Sequence, residues 1–218
     1  KVWSKNSTHA DKVGVMCREN GVPTNLADDI VLHLKRLGKA VLPLPEISLL
    51  EEETIHLGGT DWDVIAAPGH SDGLFCLYDK EKQRLIAVDH ILDRITPNIS
   101  IWPDCESNPL HQYFQSLEKI KKLSVKLTLP AHGGLIENLS MRVDEIINHH
   151  EIRLKKMKDL AKNGATAYDV AFHIFQHKKL TPHQWRFAIA ETLAHLEYLL
   201  SIKQLKKTKQ NDQFVYYQ

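Results

Sequence analysis

Apolar residues early in the chain recur at helical spacing: Leu26, Ile30, Leu34 and Leu37 form one stripe. Thr24 and Asn25 supply capping side chains at its start, and Gly38 supplies a natural residue just past its end. Ahead of this helix, Val2 and Trp3 read as a short strand entering a loop; behind it, Pro43 and Pro45 predict a linker. The period then shortens. Ile47 and Leu49, then Thr54-Ile55-His56-Leu57, Asp63-Val64-Ile65-Ala66, Leu74-Phe75-Cys76-Leu77-Tyr78 and Arg84-Leu85-Ile86-Ala87-Val88 are β-type runs. Gly58-Gly59, Pro68-Gly69 and the polar stretch 79–83 separate them, which predicts a meander. A long connection with Pro97, Pro103 and Pro109 follows, a length typical of functional loops.

Helical spacing returns at 109–122, with Pro109 in the first turn and Leu110, Phe114, Leu117, Ile120 and Leu123 as the stripe. Val125 to Leu129 reads as a strand ended by Pro130. A charged helix is predicted from about 138 through Leu160, stopped at Asn163-Gly164. Helices at 166–177 and 181–200 come next. Last is a hairpin, Leu205 to Thr208 and Gln213 to Tyr217, around a polar Asn211-Asp212 turn. Helix, helix, hairpin is the order of a winged-helix module.

Composition narrows the function classes. A chain of 218 residues, 43% hydrophobic and 25% charged, matches an ordinary globular protein. Twenty-eight Lys+Arg against twenty-seven Asp+Glu argue against a polybasic nucleic-acid-coating protein. No apolar run is long enough to span a membrane, and the polar opening Lys1 to Asn6 carries no secretory signal. Cys17, Cys76 and Cys105 are odd in number and unclustered, so neither a disulfide framework nor a thiolate zinc site is expected. A reducing cytoplasm fits this usage.

Three segments repeat one design, in which an apolar strand ends and a potential metal ligand stands at its tip. They are Ala67-Pro68-Gly69-His70-Ser71, Leu85-Ile86-Ala87-Val88-Asp89-His90 and Leu129-Pro130-Ala131-His132-Gly133-Gly134. His70, Asp89 and His132 are the candidate ligands. Imidazole and carboxylate without thiolate suit zinc, iron or manganese in an open catalytic site. Other histidines read otherwise: His149-His150 and His173/His177 belong to solvent-facing helix. Cys76 reads as a buried small hydrophobe. Lys203, Lys206, Lys207 and Lys209 are solubilising residues of an exposed hairpin, and Trp185, Phe187, Leu193 and Leu196 are module core.

These segments, in this order and spacing, resemble the metallo-β-lactamase superfamily, in particular its glyoxalase II-like branch and the β-lactamase-like proteins with a C-terminal winged helix. Trp62 to Ser71 looks like the family's strand and Pro-Gly-His loop. Leu85 to Leu92 looks like the strand carrying its bridging aspartate, with Val88 where Gly is usual, and 129–134 like the late Pro-Gly-His-Gly loop, with Ala131 for the first Gly. The resemblance implies an α/β fold: part of an αββα sandwich at 1–148, then a helical winged-helix-like domain at 149–218. It implies that His70 and His132 each bind one of two metal ions, that Asp89 bridges them, and that metal-activated water attacks an ester, thioester or related bond of a small molecule.

The family's His-x-His-x-Asp-His signature occurs nowhere in this sequence; Thr8-His9-Ala10-Asp11 is only a faint look-alike. The chain therefore reads as beginning just after that motif, with little or no hydrolysis expected from it alone. The inner face of its sheet is then expected to seek another partner, so a homo-oligomer is expected. Two alternatives stand beside the hydrolase. One is a phosphodiesterase or ribonuclease of the same fold holding nucleic acid on the winged module, which the near-zero net charge disfavours. The other is a non-catalytic remnant serving oligomerisation. A single Arg142 after the last ligand offers no basic cluster for a glutathione carboxylate.

Overall fold

The computed structural model describes residues 6–40 and 53–218. The expected strand at Val2-Trp3, the Pro43/Pro45 linker and the β positions Ile47 and Leu49 lie outside them. Contacts gather the described chain into two compact units, one of residues 53–99 and 106–153, the other of residues 6–40, 100–105 and 154–218.

The first unit is built on a five-stranded sheet, β1 (Thr54–Leu57), β2 (Thr60–Ala66), β3 (Phe75–Asp79), β4 (Arg84–Val88) and β5 (Leu127–Pro130), in that spatial order. The first four strands form the expected meander, each antiparallel to the last. β5 pairs parallel to β4, so the chain must cross over between them, and α3 (Pro109–Lys121) is that crossover. Register places Cys76, Tyr78, Leu85, Ala87 and Thr128 on one face, and all five are buried. Leu110, Tyr113, Leu117 and Ile120 of α3 are buried too. The opposite face is partly covered among the described residues. Trp62, Leu77 and Asp79 are buried, whereas Phe75 is 37% exposed and Val64, Ile86 and Leu129 are intermediate.

α4 (Leu139–Ala161) begins in this unit, where Val143 and Ile146 are buried. His149 and His150 are not solvent-facing. His150 is fully buried, edge-on to Tyr113 and Phe114, and burial holds the half-buried His149 below its usual pKa. An imidazole's apolar body packs well against aromatic edges, which outweighs the polar look of this helix segment. His173 and His177 are exposed as expected.

The second unit collects helices from both ends of the sequence. Residues expected to form a loop are instead α1 (Asn6–Glu19), which buries Ala10, Val13 and Cys17 at helical spacing. The stripe is narrow, and so short a helix gains its stability from packing rather than propensity. Gly14 permits that packing, since a Cβ there would come within 2.6 Å of Val31 on α2 (Thr24–Ala40). α2 also runs through Gly38 instead of ending there. Gly38 is buried, and tertiary burial overrides the roughly 1 kcal/mol cost of a helical glycine.

α5 (Ala167–Phe175) and α6 (Pro182–Ser201) each start with a capping box, Thr166 with Asp169 and Thr181 with Gln184. β6 (Lys206–Gln210) and β7 (Gln213–Tyr217) form the terminal hairpin. Its two turn residues, Asn211 and Asp212, both have positive φ (47° and 62°), as a two-residue turn of this kind requires. Lys207 is ion-paired with Glu197 at 2.6 Å and Lys209 with Glu19 at 3.2 Å. Among the described residues no helix is long and apolar enough to cross a membrane.

Candidate metal centre

The parallel pairing of β4 and β5 determines where two of the three candidate ligands stand. Val88 pairs with Pro130, and the Ala131 amide donates to the Val88 carbonyl at 2.9 Å. Asp89, one residue past Val88, and His132, two residues past Pro130, therefore leave the sheet side by side, with His132 Nε2 3.4 Å from Asp89 Oδ1. The register shifts between Ile86 and Val88, and Val88 sits at φ 43°. A β-branched residue in this left-handed region is strained, typically by about 1–3 kcal/mol. The kink turns Asp89 away from the pleat. Its side chain is 39% exposed, so the cost of a buried carboxylate is not incurred.

His132 is presented by a loop pinned from below. The Gly134 amide donates to Asp93 Oδ2 at 3.0 Å, and Gly133, at φ 89°, passes so close to Asp93 that a Cβ would come within 2.9 Å of it. The Asp93 stretch is itself held by Arg142, whose Nε donates to the Leu92 carbonyl at 2.7 Å and whose NH2 donates to that of Ile95 at 2.9 Å. Arg142 is thus occupied with its own backbone.

His70 rises from the loop after β2. Its Nδ1 lies 2.9 Å from the Asn98 carbonyl. A carbonyl only accepts, so Nδ1 carries a proton, and in the neutral ring Nε2 keeps the lone pair. Metal-binding imidazoles are commonly oriented in this way. The loop is tied to the Asp89 turn through α3. The Ser116 hydroxyl is 3.0 Å from the Pro68 carbonyl and 3.3 Å from His90 Nε2, and the Tyr113 hydroxyl donates to the His90 carbonyl at 2.8 Å. His90 is fully buried with Nδ1 unpartnered. Burial, and secondarily its neighbour His70, push its pKa down to about 3, so it is neutral.

Asp89 and His132 are brought into direct contact, and His70 is placed beside His90. Among the described residues no group of three His, Cys, Asp or Glu side chains is near enough to hold an ion jointly. The donors suit a divalent cation in kind, neutral imidazole with carboxylate, but the joined pair is one short of the three protein ligands usual for catalytic zinc. The supporting residues Asp93, Asn98, Tyr113 and Ser116 escaped the sequence reading. Their only sequence signal was that Asp93 and Asn98 fall in the long proline-bearing connection.

Residues 8–132 match the family model described as "Metallo-beta-lactamase superfamily", and residues 154–218 match "Metallo-beta-lactamase-like, C-terminal domain". The chain is 33% identical over 108 residues, 50% of its length and 33% of the relative's, to the "Beta-lactamase-like protein 2 homolog" of Caenorhabditis elegans. It is 24% identical over 110 residues, again 50% of its length and 32% of the relative's, to the "Atrochrysone carboxyl ACP thioesterase" of Aspergillus fumigatus. In structure it is similar to a metallo-beta-lactamase family protein of Thermus thermophilus, with a TM-score of 0.82 and 27% identity, covering 99% of this chain and 66% of that one. The chain matches between a third and a half of the length of the curated relatives first found.

Proposed function

The chain belongs to the metallo-beta-lactamase superfamily, and from this premise we propose that it forms part of a metal-dependent hydrolase acting on an ester or thioester bond of a small molecule. The observation that carries the reading is the Asp89–His132 approach of 3.4 Å at the tips of adjacent parallel strands. In this reading His70, Asp89 and His132 contribute part of the ligand set of a divalent metal centre that further ligands complete, with zinc first and iron or manganese as alternatives. A divalent cation held there would supply a water of lowered pKa and polarise the scissile carbonyl. The chain's own residues orient the donors. Asn98 keeps the His70 Nε2 lone pair available, Asp93 holds the His132 loop, and neutral His90 braces the Asp89 turn through Ser116. The thioesterase among the relatives supports the choice of bond.

The proposed division of labour puts the ligands in residues 1–148 and the winged-helix-like module in 149–218. The partly covered sheet face supports self-association, which sedimentation measures directly. Lys207 and Lys209 are engaged by Glu197 and Glu19, so no structural observation favours the nucleic-acid reading.

The test is zinc or manganese titration by calorimetry, with His132→Ala and Asp89→Asn as variants. Either substitution is expected to weaken binding at least about ten-fold, a loss of roughly 1.4 kcal/mol. Binding unchanged in both variants removes the reading. Hydrolysis of a thioester reporter, in the chain and in a form extended by the N-terminal part of a relative, then tests the reaction.

A further inference from the structure

Arg186 of α6 is a half-buried cation with no carboxylate bonded to it among the described residues. Its guanidinium carbon lies 4.3 Å from the Phe187 ring centroid and 5.4 Å from that of Trp102. Those two rings meet edge to face at 5.8 Å. The guanidinium is therefore packed against aromatic faces, a geometry that holds a planar cation in place while leaving its in-plane N–H groups for hydrogen bonds.

The in-plane groups are poorly used. NH2 lies 3.4 Å from His183 Nδ1, and that imidazole nitrogen also lies 2.9 Å from His33 Nε2. An arginine N–H can only donate, so His183 Nδ1 must accept, and its single lone pair is contested by two donors. Arg186 Nε is buried and has no hydrogen-bond partner among the described residues. Burial lowers the Arg186 pKa. The acid of this neighbourhood, Asp104, is committed to Lys12 through both oxygens at 2.8 and 2.5 Å. His9 feels Asp104, Arg186 and Lys12 together.

A desolvated guanidinium without a counter-charge is costly, and the cost is recovered when an anion presents two oxygens in the guanidinium plane. We propose that Arg186, packed against Trp102 and Phe187 with His9 nearby, is a receptor for the oxyanion of a ligand, a carboxylate or a phosphate. The site lies wholly within one compact unit and does not depend on the metal reading.

The test titrates the protein with sodium phosphate and with sodium benzoate, each against sodium chloride at matched ionic strength, followed by calorimetry and thermal unfolding. One or both oxyanions are expected to bind and raise the melting temperature beyond chloride. Phosphate alone identifies a phosphate source, benzoate alone a carboxylate source, and both together a general oxyanion receptor. Arg186→Gln is expected to weaken binding at least about ten-fold. Arg186→Lys, which keeps the charge but loses the planar fork, is also expected to weaken it, and it decides the matter if the Gln variant fails to fold. The proposal is overturned if neither oxyanion outperforms chloride, or if Arg186→Lys binds like the parent chain.

Discussion

The backbone of Tyr113 occupies the space that any side chain on Gly69 would need. A Cβ on Gly69 would lie 2.5 Å from the Tyr113 Cβ and 2.7 Å from its Cα, and Gly69 itself has φ 126°. The loop that raises His70 is therefore shaped by a helix that begins about forty residues later, and close packing at this point connects fold stability to ligand position.

Gly69→Ala should destabilise the protein by about 3 kcal/mol, combining backbone strain with overpacking against helix backbone that cannot yield. Urea unfolding measures this. A loss under about 1 kcal/mol would mean the loop can shift away from α3 at little cost.

Val88→Gly should leave stability within about 1 kcal/mol of the parent, because relief of the left-handed φ offsets the lost side chain and the added chain entropy. Ile86→Gly, two residues earlier in the same strand and equally half-buried, has no strain to relieve and should lose more than about 2 kcal/mol. Equal losses at the two positions would show that Val88 is not strained.

Asp93→Ala removes the acceptor of the Gly134 amide beneath the His132 loop. Metal affinity is expected to fall roughly 10–100-fold, the usual effect of losing a residue that orients a ligand. Circular dichroism should stay unchanged. Calorimetry reading the same affinity in variant and parent counts against a supporting role for Asp93.

Acid sensitivity should include a contribution from His149. Burial, then Arg153 and Arg142, lower its folded-state pKa below the unfolded value. On acidification the unfolded chain takes up the proton first, so this contribution is complete above about pH 6.5 and declines as pH falls below it. His149→Gln should therefore flatten the decline in stability as pH falls below about 6.5. A profile as steep as the parent's assigns the sensitivity to other groups.

Local pattern determined much of this protein. The period-two runs separated by Gly, Pro and polar turns became β1 to β4. The predicted helices became α2 to α6, and Asn211-Asp212 became the hairpin turn. Each of these elements depends on residues a few positions apart, which is what periodicity and turn chemistry report. The candidate ligands were legible for the same reason, since each is a short strand followed by a turn. α1 was not legible, because its stripe is narrow and its partner α2 must be in place before the helix is worthwhile. His149 and His150 looked like surface until α3 placed Tyr113 and Phe114 against His150. The sequence likewise could not show that β5 runs parallel beside β4 and so sets Asp89 next to His132, nor that Asp93, Asn98 and Ser116 hold the ligand loops. Nor could it show that Arg186 packs against both Trp102 and Phe187 with no carboxylate bonded to it among the described residues. Those contacts join residues tens of positions apart, and only three-dimensional packing, with its demands of close fit and satisfied polar groups, selects among the many pairings the chain could make.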